Sequence, residues 1–193
     1  MSIIPRDSPL NLQYRICIVT SASSVLGIVV CKTLLKANAL VLGIDDQKQD
    51  HSLSSAPGTH FQFLQCSIES ASEQVVKVVA EKFEGSERVD VLICLGHGHG
   101  ESALAETVGG FMCKGDGGSI VHILEHRKGM DEARRLVTSS HSQGKEVPNA
   151  SEEAKQAAQK IYDAANLTLF LASDMSQNID GKVVYADGMI DEI

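Results

Sequence analysis

Apolar and polar positions alternate along this chain in blocks whose period keeps changing. Residues 14–20, YRICIVT, are a short β-branched run that is apolar on both sides, as a strand buried on both faces requires. From 23 to 39 the apolar positions Val25, Leu26, Val29, Val30, Leu34 and Leu35 recur at helical spacing. Residues 40–46 read as a second strand ending in two acids, and 47–59 as a polar, turn-rich loop. A third strand covers 60–68. The helix at 70–85 opens on serine capping candidates and closes on Gly85. A fourth strand follows at 89–96, then a short helix at 101–114 weakened by Gly109 and Gly110. Residues 119–125 make a fifth strand, and 129–145 are helical at first, then polar. Residues 149–173 form a long helix with a capping start at Ser151, and 182–188 a last strand.

This alternation predicts an α/β chain with a doubly wound parallel sheet, in a single domain spanning 1–193. Ligands on such sheets bind outside the carboxyl ends of the strands. The places to search are therefore those after Thr20, Asp45, Ser67, Gly96 and Glu125.

Composition narrows the function classes. A chain of 193 residues suits one domain, and it buries roughly 70% of its unfolded surface without staples. The net charge of -8 argues against nucleic acid or an anionic membrane as partner. The five cysteines, at 17, 31, 66, 94 and 113, are widely spaced and odd in number, which suits a reducing compartment. The first fifteen residues lack the apolar core of a signal peptide, and no run approaches the about 18 apolar residues that span a bilayer. The expectation is a cytoplasmic protein.

Several stretches together resemble the short-chain dehydrogenase/reductase family. TSASSVLG (20–27) resembles its TGxxxGxG loop, and VLGID (41–45) its second strand with the ribose-binding acid. VDVLICLGH resembles the strand that ends in Asn-Asn-Ala-Gly, and GGSIVHILE the serine-bearing fifth strand. LFLASDMSQNIDGKVVYADG resembles the family's closing segment. The resemblance implies a Rossmann-like fold with strand order 3-2-1-4-5 and the last strand beyond. It also implies a homodimer paired through the helices after strands four and five.

The departures from the family pattern concern chemistry. In the loop the first glycine is Ser21 and the second is Val25; only the packing glycine, Gly27, remains. A branched Cβ at 25 occupies space that a pyrophosphate needs. Asp45 is kept, but Ser67 stands where the family has an acid. The catalytic serine aligns with Glu125 or Leu124. The Tyr-x-x-x-Lys pair falls on Val137 and His141, or on His141 and Lys145, and neither register supplies a phenol. The sixth strand and its Pro-Gly turn are missing between Lys145 and Pro148, so the chain reads as truncated. No cofactor is expected, and Ser21, Val25, Gly27 and Asp45 read as a degenerate remnant of a cofactor site.

Five of the seven histidines lie between 97 and 141. GHGHGE places His97, His99 and Glu101 on a glycine-spaced turn, while the fifth strand supplies His122, Glu125 and His126. Imidazole and carboxylate are natural acid–base partners near neutral pH. His97, His99, Glu101, His122 and Glu125 are therefore the candidate catalytic set. The expected activity is non-redox: an isomerase, cyclase or lyase acting on a small organic substrate. Fungal secondary metabolism is the setting suggested by analogy. Alternative readings stand beside it. The loop histidines can be a solvated turn, and His122 a satisfied core residue. His97, His99 and Glu101, with His122, can also be metal ligands, since i and i+2 share a face of an extended chain. A residual NAD(P)-dependent oxidoreductase and an inactive partner subunit complete the set of readings.

Overall fold

The computed structural model describes residues 4–53, 60–83, 88–96, 99–114, 117–123, 152–177 and 179. Their core is a five-stranded, wholly parallel sheet in the order β3-β2-β1-β4-β5. The strands are β1 (Ile16–Thr20), β2 (Leu40–Asp45), β3 (Phe61–Gln65), β4 (Val91–Leu95) and β5 (Ser119–Ile123). The helices between and after them are α1 (Val25–Lys36), α2 (Ile68–Lys82), α3 (His99–Met112) and α4 (Glu152–Ala172).

Each central strand is apolar on both sides because a helical layer covers both faces. Cys17, Val19, Val91 and Ile93 face α1 and α4, where they meet Val30, Leu34, Ile161 and Leu169. Ile18, Leu42, Leu92 and Cys94 face α2 and α3, where they meet Val75, Val79, Leu104 and Val108. Every residue of β1 and β4 is buried, so the sheet's centre lies between these two strands. There the chain order reverses, with β2 to one side and β5 to the other. This is the topological switch point, where a crevice forms beyond the strand ends.

Local chemistry sets the helix starts. Ser24 is extended at φ -67°, ψ 162° and its hydroxyl accepts the Gly27 N–H at 3.0 Å, which caps α1. Ser67 does the same for α2 by accepting from Ser70. The sequence places the serine capping candidates at the opening of 70–85, whereas the cap is Ser67. Arg15 pins the far end of α4. Its guanidinium donates to the Ala172 carbonyl at 3.2 Å and pairs with Asp174. The expected helix at 129–145, the strand at 182–188, the cap at Ser151 and the stop at Gly85 lie outside the described residues. No helix among the described residues is long and apolar enough to cross a membrane.

Candidate functional site

The crevice is built from the ends of β1 and β4 and the first turns of α1 and α3. Thr20, the last residue of β1, is fully buried. Its hydroxyl accepts the Leu95 N–H at 2.8 Å and donates to Glu101 Oε1 at 3.4 Å. Ser21 follows in the left-handed region at φ 47°, and its hydroxyl donates to the Leu95 carbonyl at 3.0 Å. Two adjacent hydroxyls, at the end of β1 and just beyond it, thus hold both polar backbone groups of the last residue in β4. Gly96 then turns the chain at φ 128°, a conformation that suits glycine.

Glu101 is 5% exposed, although it sits in the first turn of a surface helix. Its carboxylate reaches inward to the switch point. Oε1 lies 3.3 Å from where a Cβ on Gly96 would stand. It also adds to burial in pushing the neighbouring Cys94 thiol up to about 12. The switch point therefore carries a buried carboxylate and a hydroxyl that donates to it. A second, exposed carboxylate, that of Glu69 at the start of α2, lies against the first turn of α3. Its Oε1 is 2.9 Å from where a Cβ on Gly100 would stand.

On the β2 side, Asp45 is buried and engaged by its own chain. One carboxylate oxygen accepts the Ser23 N–H at 2.8 Å, and the other accepts the Gln47 N–H at 3.0 Å. The Ser23 hydroxyl donates to the Lys48 carbonyl at 2.9 Å. Val25 is the first residue of α1, half-buried and packed against the core beneath that helix. Gly27 is irreplaceable on steric grounds: a Cβ there would lie 2.2 Å from the Ser21 carbonyl oxygen. The glycine that packs helix on strand is thus kept, and the one that would admit a pyrophosphate is not.

Of the expected polar residues, Glu101 is placed in the crevice. His99 and Glu101 stand in helix rather than on a turn. Residues two apart on a helix point roughly 200° away from each other. The extended-chain argument for a shared His99–Glu101 metal face therefore fails. Of His99 the backbone alone is described. His122 is exposed, not a core residue. It pairs in register with Cys94, so the two share the α3 side of the sheet. His97, Glu125, His126, Val137, His141 and Lys145 lie outside the described residues. Glu69 was not anticipated, because nothing in its spacing marks it. Thr20 was seen as a strand end and not as a hydroxyl that holds β4.

No protein-family model and no curated sequence matches the chain. Solved structures do match. A putative NAD(P)-dependent gluconate 5-dehydrogenase from Beutenbergia cavernae, with bound NADP, superimposes at a TM-score of 0.64 and 18% identity. That match covers 93% of this chain and 97% of the other. The fold is that of the short-chain dehydrogenases/reductases. A Leptospira borgpetersenii short-chain dehydrogenase with bound NAD+ gives 0.59 at 14% identity, covering 93% of each chain. Escherichia coli hydroxysteroid dehydrogenase gives 0.57 at 17%, covering 86% of this chain and 91% of its own. Likeness at these identities establishes the scaffold, and the site must be argued from its residues.

Proposed function

We propose that the switch-point crevice works without a dinucleotide, as the acid–base site of a non-redox enzyme of the isomerase, cyclase or lyase kind. The observation that carries this reading is the buried Glu101 carboxylate, where a cofactor's phosphates and ribose would approach. A diphosphate entering there meets like charge in a low-dielectric setting. It also meets the Val25 side chain at the first residue of α1. The residues present do not fit the cofactor of the family.

In this reading Glu101 accepts a proton from a small organic substrate, and the Thr20 hydroxyl holds the carboxylate in place. His97, His99, His122 and Glu125 complete the proposed polar set, handing the proton back. The substrate sits over the apolar ends of β4 and β5. A homodimer, a cytoplasmic location and a place in secondary metabolism belong to the same proposal.

A second reading is a residual NAD(P)-dependent oxidoreductase. It is favoured by Asp45, which ends β2 at the family's ribose-binding position. A paired variant separates the two. Val25→Gly combined with Glu101→Gln removes both obstacles, so this variant is expected to bind NADH more tightly than the wild type. Fluorescence titration reads the difference. Equal, saturable binding by both proteins favours the oxidoreductase.

A further inference from the structure

A cavity of about 580 Å³ opens at the opposite end of the sheet from the crevice. Its walls include Arg6, Gln13, Tyr14, Asn38, Leu40 and His60. Leu40 begins β2 and His60 immediately precedes β3, so the opening lies at the amino edge of the strands. The volume falls within the roughly 300–1,000 Å³ typical of small-molecule sites. A permanent cation, an imidazole, two carboxamides and a phenol meet an aliphatic side chain there. Among the described residues Arg6 forms no salt bridge.

Tyr14 supplies an independent observation. Its backbone is in the left-handed region at φ 68°, an unfavourable place for a bulky side chain. Two hydrogen bonds hold the strained turn. Arg88 Nη2 donates to the Tyr14 carbonyl at 2.9 Å, and the Arg15 N–H donates to the Leu12 carbonyl at 2.9 Å. Yet the side chain so placed is 72% exposed. Packing gains little from a ring left in water, so burial does not offset the strain. What the arrangement provides is an aromatic face at the rim of a cavity that also holds a guanidinium.

We propose that this cavity is a second ligand site, for a small planar carboxylate. The Arg6 guanidinium takes the carboxylate, and Tyr14 and Leu40 pack on the ring. The site is separate from the crevice and does not depend on what the crevice does.

The test uses the full chain, labelled with ¹⁵N, titrated with benzoate and, as the neutral isostere, benzamide. Benzoate is expected to give saturable amide shifts confined to residues 4–14, 38–40 and 60, and benzamide none. Arg6→Ala and Tyr14→Gly are each expected to weaken benzoate about fivefold or more. Tyr14→Gly removes the ring and relaxes the backbone, so its Tm should not fall; Arg6→Ala alters an exposed side chain and decides the matter by itself if the glycine variant does not fold. The proposal is overturned if benzoate produces no saturable shifts, if the shifts map to 20–27 and 96–101, or if Arg6→Ala binds as the wild type does.

Discussion

Gly27 and Val25 lie two positions apart in the first turn of α1, and their surroundings make opposite demands. At Gly27 a methyl group would strike the Ser21 carbonyl oxygen, a backbone atom that cannot step aside cheaply. Gly27→Ala should cost about 1–3 kcal/mol, the range for overpacking, and chemical denaturation will read it. Val25 is half-buried instead, with its side chain packed against the core beneath α1. The cysteines offer a second check at this scale. Cys17, Cys31 and Cys94 are buried, whereas Cys113 is exposed and Cys66 half-buried. Burial pushes the Cys31 thiol up to about 12, and burial together with Glu101 does the same for Cys94. A disulfide reagent near pH 8 should therefore modify Cys113 first and Cys66 more slowly. The other three should react at the rate of unfolding. Rapid labelling of Cys94 would show that the floor of the crevice is open to solvent.

Helix α3 shows how much of the site could be read from the chain and where that reading stopped. The strands and α1 were legible, because two-sided apolar runs and a helical stripe leave little choice. GHGHGE was read as a loose turn on account of its glycines. Two of them have defined tasks instead. Gly96 makes a turn at positive φ, and Gly100 leaves room for Glu69 and Ile68. The helix then begins at His99 because Leu104, Val108 and Met112 bury against the sheet and α2, which outweighs the low propensity of Gly109 and Gly110. The inward course of Glu101 had no sequence signal, since an acid in a first turn usually faces water. Replacing Gly100 by alanine should swing the exposed Glu69 carboxylate aside at little cost, so thermal unfolding should show a change of less than about 1 kcal/mol. At the other end of the fold, α4 depends on Arg15. The hydrogen bond from Arg15 holds the Asp174 carboxyl below its usual range. A lowered folded-state value means stability that is present above the unfolded value and lost as pH falls through the folded one. Because the pair is largely exposed, Asp174→Asn should cost about 0.2–1 kcal/mol at neutral pH. That cost should vanish in acid below the carboxylate range. Urea midpoints at the two conditions measure the difference.

At the scale of the molecule, the sheet order, the two helical layers and the crevice between β1 and β4 form a scaffold shared with enzymes that carry nicotinamide cofactors. The fold explains where a site should be, and the side chains argue what it can accept. A hydroxyl-bearing loop closes on Asp45, an isopropyl group heads α1, and a carboxylate fills the space between the strand ends. In the proposed reading, each makes the crevice less suited to a dinucleotide. Isothermal titration of the wild-type protein with NADH and with NADPH tests this most directly. The account predicts no saturable heat at millimolar coenzyme, whereas a one-to-one isotherm in the micromolar range for either would contradict it.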